Sequence, residues 1–239
     1  MSDNRLIVAL DVHCMDDMKQ IVNTLGSSVS FYKVGMELFY AAGEQTVTYL
    51  QKAGKSVFLD LKLHDIPNTV AQGVRSLTRL GANLITIHGQ GGPVMMQAAA
   101  DAARDEAAKL GIDRPKLLAI TVLTSFDDSS WTSIGGQLPI QDQVVRLAKL
   151  AKANHIDGVV ASPLEAKAIK DACGSDFLIV TPGIRPSFAA TNDQKRIASP
   201  ASALADGAKK LVIGRPITKA ADPIDAVQRI IKEMESVQL

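Results

Sequence analysis

The stretch Ser56-Val57-Phe58-Leu59-Asp60-Leu61-Lys62-Leu63-His64-Asp65-Ile66-Pro67-Asn68 carries the pattern on which the fold turns. Its apolar run, Ser56–Leu61, has strand length and little polar alternation, as expected of a parallel strand covered on both faces. The run ends in charge, with Asp60, Lys62 and Asp65, and an amphipathic helical stretch follows over Asn68–Leu80. The same unit recurs in both directions. Strand-like runs lie at Leu6–Asp11, Phe31–Gly35, Leu84–His88, Leu117–Leu123, Gly158–Ala161, Phe177–Thr181 and Leu211–Gly214. Helical periodicity is clearest over Val94–Leu110, Gln143–Asn154, Pro163–Cys173 and Pro223–Glu235. In the last of these, Ile224, Val227, Ile230, Ile231 and Met234 mark one apolar face, and Asp222-Pro223 reads as an N-cap with proline at the first helical position.

Eight strands, each followed by a helical segment, predict an α/β fold of the TIM (β/α)8 barrel type, one domain over residues 1–239. An open doubly wound sheet would alternate in the same way. Against it, Asp11-Val12-His13 stands after the first strand, where a G-x-G-x-x-G turn would be expected. Two stretches, Ser125–Leu138 and Pro182–Arg196, exceed what a connection needs and read as lids or binding loops.

Composition narrows the function. Lys and Arg number 26 against 25 Asp and Glu, so no basic excess exists to hold a nucleic-acid backbone, and 4% aromatic residues leave little for base stacking. Cys14 and Cys173 are far apart and form no CxxC pair, so no disulfide framework or structural zinc site is expected. The five apolar residues Leu6 to Leu10 are too few for a signal-peptide core, and no run reaches the length of a membrane span. The expectation is a cytoplasmic protein without nucleic-acid or membrane partners.

In such a barrel the active site lies where the strands end. The polar residues ending the runs are Asp11, Lys33, Asp60 with Lys62, His88, Thr121 or Thr124, Ser162, Thr181 and Gly214 with Arg215. Residues two apart on a strand face the same way, so Asp60 and Lys62 should project together, with Asp65 on the following turn. A positioned ammonium among carboxylates can donate a proton and stabilise a developing carbanion. A structural ion pair at a strand end is the competing reading, and His64 reads as structural. Gly214-Arg215 after the last strand and Arg185 after the seventh, with Gln194 further along, suit a phosphate site. Lysines at 33 and 62 oppose a bound cation, the four histidines show no zinc-binding spacing, and no G-x-S-x-G nucleophile is present. Neither metal nor organic cofactor is expected. Met95, Met96, Trp131 and Cys173 read as packing residues.

The stretch Phe58 to Thr69 closely resembles the signature of the orotidine 5′-phosphate decarboxylases. So do Ala9-Leu10-Asp11, Lys33 to Leu38, Leu123-Thr124-Ser125, Thr181 to Arg185, Asn192-Asp193-Gln194 and Val212 to Arg215. The likeness is greatest to the bacterial branch and runs in order over nearly the whole chain. It implies a homodimeric barrel that converts orotidine 5′-monophosphate to UMP and CO2, the last step of de novo UMP synthesis, without metal or cofactor. It assigns Lys62 as proton donor to C6 of the pyrimidine and Asp60 as neighbour of the departing carboxylate. Lys33 and Asp65 complete the charged array, with Asp65 and Thr69 supplied by the partner subunit. Asp11 and Lys33 would contact the ribose and Thr124 the base, while Gln194, Gly214 and Arg215, assisted by Arg185, would hold the phosphate. The nearest rival is the metal-dependent sugar-phosphate branch of the same superfamily, which carries a metal-binding glutamate where Lys33 stands. A non-catalytic nucleotide-binding barrel would be expected to lack one of Asp60, Lys62 and Asp65, and all three are present.

Overall fold

The computed structural model describes residues 2–188 and 197–236. Eight parallel strands close into a barrel in chain order: β1 (Leu6–Ala9), β2 (Phe31–Gly35), β3 (Ser56–Leu63), β4 (Leu84–His88), β5 (Lys116–Ile120), β6 (Gly158–Val160), β7 (Leu178–Thr181) and β8 (Lys210–Ile213). Closure is made by β8 pairing with β1, Ile7 opposite Val212. The doubly wound alternative is thereby excluded. Each apolar run becomes a strand; Phe31–Gly35 and Leu84–His88 keep their ends, and the other six shift at one or both ends by one to three residues, because backbone pairing rather than hydropathy decides where a strand stops.

Two-residue periodicity divides the strand side chains between two cores. Ile7, Ala9, Phe31, Phe58, Leu84, Leu118, Val180 and Val212 fill the barrel interior. Their neighbours, such as Val8, Tyr32, Leu59, Ile85, Leu117 and Ile213, face outward into the layer under the helices. A continuous apolar run was required because both faces are buried. Gly158 on β6 shows how tight the wall is: a Cβ there would stand 2.1 Å from the Leu178 carbonyl oxygen, so only glycine allows β6 and β7 to approach.

The helices between strands bury one stripe each. In Pro223–Glu235, Ala226, Val227, Ile230 and Met234 are buried, and the Asp222 carboxylate accepts from the Ile224 and Asp225 N–H groups as the cap. Ile224, expected on the buried face, is exposed. The long Ser125–Leu138 connection holds a short helix, Asp128–Ser133, under a reciprocal Asp127–Ser130 capping box. Buried Trp131 pins it, donating from Nε1 to the Leu138 carbonyl at 2.9 Å and meeting Phe126 edge-on. Met95, Met96 and Cys173 are buried in the core, as expected.

Candidate active site

Carrying the inward phase of each strand one step further brings polar residues to the barrel mouth: Asp11 beyond β1, Lys33 on β2, Asp60 and Lys62 on β3, Thr86 and His88 on β4. Four of them form a line of alternating charge. Lys33 Nζ lies 3.0 Å from Asp11 Oδ1 and 3.7 Å from Asp60 Oδ2, and Lys62 Nζ lies 2.9 Å from that same Asp60 oxygen. The side chains of Lys33 and Asp60 are only 11% and 13% exposed, so each charge needs the others. The four formal charges cancel, which offsets the cost of burying Lys33 and Asp60, while Asp11 stays largely exposed.

Asp60 and Lys62 do converge, but not by regular strand geometry. Leu59 pairs with Ile85, whereas Ile87, two residues on, pairs with Leu63, four residues on. Counting forward from the first pair sets Asp60 opposite Thr86; counting back from the second sets Lys62 there too. The bulge thus holds both charged residues at one level of the neighbouring strand instead of one pleat apart, about 7 Å. Lys62 bears the cost, with φ at +53°, a left-handed conformation that destabilises a residue with a Cβ by about 1 kcal/mol or more.

Lys33, Asp60 and Lys62 form one wall of a cavity of about 190 Å3. Phe58, Val160 and Val212 line it from the barrel interior, Ile120, Val122, Leu123 and Pro182 make it apolar opposite the charges, and Thr124 also lines it. The cavity therefore sets charged groups beside an apolar lining. Gly35 leaves room for the ammonium, since a Cβ there would come within 2.8 Å of Lys33 Nζ and displace it.

His88 stacks on His64, ring centroids 4.9 Å apart, and its buried Nδ1 has no hydrogen-bond partner among the described residues. Burial, then the neighbouring His64 and Lys62, pushes its imidazole down to about 4, against a smaller opposing pull from Asp60. His64 itself is exposed.

The other expected residues lie around this array or away from it. Gly214 follows β8 and stands against Asp11: a Cβ there would lie 3.6 Å from Asp11 Oδ2. Arg215 opens a short helix, Arg215–Thr218, and lines a separate cleft of about 540 Å3 with Phe188, Lys219 and Arg229. Arg185 follows the isolated Ile184–Ala198 bridge and donates from Nη1 to the Ile184 carbonyl at 2.9 Å. Gln194 lies outside the described residues. Asp65 and Thr69 are exposed, and among the described residues Asp65 makes no ion pair; its Oδ1 accepts from the Ile66 N–H at 2.7 Å. Among the described residues no three His, Cys, Asp or Glu side chains group as metal ligands. Sequence reasoning missed Thr86 and the apolar wall of Ile120, Val122 and Val160. The signal was there in the inward series Leu84, Thr86, His88, which passes over an uncharged residue.

A closed parallel barrel with an alternating charge array and a half-apolar cavity at the C-terminal ends of its strands is a TIM-barrel enzyme. Residues 4–230 match the family model described as "Orotidine 5′-phosphate decarboxylase / HUMPS family". An orotidine 5′-phosphate decarboxylase of Trichlorobacter lovleyi is 53% identical over 231 residues, 97% of this chain and 95% of that one. One from Moorella thermoacetica is 47% identical over 236 residues, 98% and 94% of the two chains. The crystal structure of orotidine 5′-phosphate decarboxylase from Lactobacillus acidophilus superposes with a TM-score of 0.86 at 43% identity, covering 97% of this chain and 99% of that one. The chain belongs to the orotidine 5′-phosphate decarboxylase family, a family of carbon–carbon lyases in pyrimidine biosynthesis. The reaction that goes with this membership is conversion of orotidine 5′-monophosphate to UMP and CO2.

Proposed function

We propose that this chain, as one barrel domain over residues 1–239, carries out that decarboxylation with Lys62 as both counter-charge and proton donor. The observation that carries the reading is the Lys62 ammonium 2.9 Å from Asp60 on the wall of the cavity. Breaking the bond from C6 to the carboxylate leaves an electron pair in the plane of the ring, where no ring carbonyl absorbs it by resonance. An ammonium held at that edge stabilises the developing charge and then delivers a proton to C6; the neutral amine recovers its proton from solvent. Asp60 stands beside the leaving carboxylate and holds the ammonium in place. Lys33 and Asp11 are suited to ribose hydroxyls and Thr124 to the base. Gly214 and Arg215, with Arg185 and Gln194, are suited to the phosphate, whose remote binding energy is used at the transition state.

The metal-dependent sugar-phosphate branch is disfavoured by Lys33. Its ammonium sits between the carboxylates of Asp11 and Asp60, the two groups best placed to hold a cation. The reaction is therefore assigned to a site needing neither metal nor cofactor. A homodimer with shared sites is supported by Tyr40, Ile66 and Val94, which follow β2, β3 and β4 and are 74%, 67% and 69% exposed. Asp65 and Thr69, both exposed and flanking Ile66 in the chain, are suited to serve a neighbouring site. No described helix is long and apolar enough to cross a membrane, and both cysteines are free, which agrees with a cytoplasmic enzyme.

Incubation with orotidine 5′-monophosphate in EDTA, followed by loss of the orotate absorbance, tests the reading. Turnover should persist in chelator, and Lys62→Ala should abolish nearly all of it while binding of UMP stays measurable. Metal-reversible inhibition by EDTA, or near-normal kcat in Lys62→Ala, would overturn it.

A further inference from the structure

Thr86 is wholly buried in the middle of β4, yet it is neither charged nor part of the barrel's apolar filling. Among the described residues its hydroxyl makes two hydrogen bonds, both to β3. The Lys62 backbone N–H donates to Oγ1 at 2.8 Å, and Oγ1 lies 3.1 Å from Asp60 Oδ1. Because Oγ1 accepts from the N–H, its own proton is directed to the carboxylate, and a hydroxyl is among the few small groups able to do both at once. The pairing register explains why one residue meets two: the bulge sets Asp60 and Lys62 opposite Thr86 together. Asp60 is thereby held on both sides, with Oδ1 on Thr86 and Oδ2 on the Lys62 ammonium.

We infer that Thr86 is a positioning residue for the decarboxylation, a reading that rests on the proposed roles of Asp60 and Lys62. Its hydroxyl ties down the left-handed backbone of Lys62 and the facing oxygen of Asp60, so that the ammonium is aimed at the cavity before substrate arrives. Without it, Lys62 loses the partner of its N–H and can relax toward extended backbone. Asp60 becomes free to rotate, and both reacting groups lose their preset distance. Such preorganisation matters most where the charge develops, in the transition state, and least in binding a nucleotide through its ribose and phosphate.

Thr86→Val keeps the shape and removes the hydroxyl; Thr86→Ser keeps the hydroxyl and removes a methyl group. The expected result for Thr86→Val is a fall in kcat of about 10- to 100-fold, the scale of one lost hydrogen bond to a charged group. KM and the affinity for UMP should change less than about threefold, and Thr86→Ser should recover most of the rate. Unchanged kcat in Thr86→Val would overturn the inference. So would a parallel loss of kcat, UMP affinity and urea resistance, which would make Thr86 a general structural residue. If Thr86→Val does not accumulate as folded protein, Thr86→Ala is judged by the same measures, and failure of both to fold also counts against the inference. Lys62→Ala, assayed alongside, separates the two readings: an inactive Lys62→Ala with a normal Thr86→Val refutes only the positioning role, whereas an active Lys62→Ala refutes the assignment beneath it.

Discussion

His88 offers a test of the mouth's electrostatics that does not depend on turnover. Burial holds its imidazole at about 4 in the native protein, whereas in the unfolded chain it returns to about 6.5. At pH 7.5 the ring is neutral in both states and contributes no pH-dependent term. At pH 5 the unfolded ring is mostly protonated and the native ring mostly neutral, so the unfolded state binds more protons and stability falls as pH falls. The full gap between the two values corresponds to about 3 kcal/mol, complete only below pH 4; by pH 5 the loss is about 2 kcal/mol. Partial solvent access to the ring and the relief offered by Asp60 trim this to about 1–2 kcal/mol. His88→Leu removes the titrating ring while keeping an apolar side chain against His64. Urea unfolding of parent and variant at pH 7.5 and pH 5.0, at one protein concentration, isolates the His88 share as a double difference. His64, Lys62 and Asp60 act on the ring and are present in both proteins, so the double difference reports what changes with His88. The parent should lose about 1–2 kcal/mol more than the variant on acidification. Equal losses would show that His88 is not held neutral by its site.

Lys62→Ala and Asp65→Asn, each nearly inactive, should complement when mixed under subunit exchange: half the dimers are then mixed and each contains one intact site, so about a quarter of all sites should recover. No recovery, with exchange verified by mass spectrometry, would refute the shared site. Arg215→Ala should raise KM about 10- to 100-fold through a lost charge-assisted contact to phosphate, and a substrate lacking the phosphate should be handled almost equally by mutant and parent; an equal penalty on both substrates would remove Arg215 from the phosphate site. Asp157 lies away from the mouth, where its carboxylate accepts from Arg114 at 2.9 and 2.5 Å and from the Leu117 N–H at 2.8 Å. Asp157→Ala should cost about 1–3 kcal/mol in urea unfolding and leave kcat unchanged, with a fall in kcat as the contrary result.

The barrel was legible in the sequence because strands buried on both faces must be apolar throughout, so eight Val-, Ile- and Leu-rich runs stand out between amphipathic stretches. The same two-residue period told which end-residues face inward, and Asp11, Lys33, Asp60 and Lys62 do meet at the mouth. The cap at Asp222 was legible for an equally local reason, since a cap and the N–H groups it satisfies lie within three residues of one another. Other features depend on how distant strands pair, which no local pattern encodes. The bulge in β3 arises from register against β4, more than twenty residues away, and it sets Asp60 and Lys62 at one level with Lys62 in a left-handed conformation. Thr86 has meaning only through that register, because alone it reads as one more β-branched residue in a strand. The fold of Ser125–Leu138 was hidden too: Trp131 is anchored by a carbonyl seven residues on, and an irregular loop has no period to reveal it. Hydropathy and spacing therefore determined the barrel and the residues at its mouth. The tertiary structure decided the depth, backbone conformation and neighbours at which those charges meet, because these are set by pairing between segments remote in the chain.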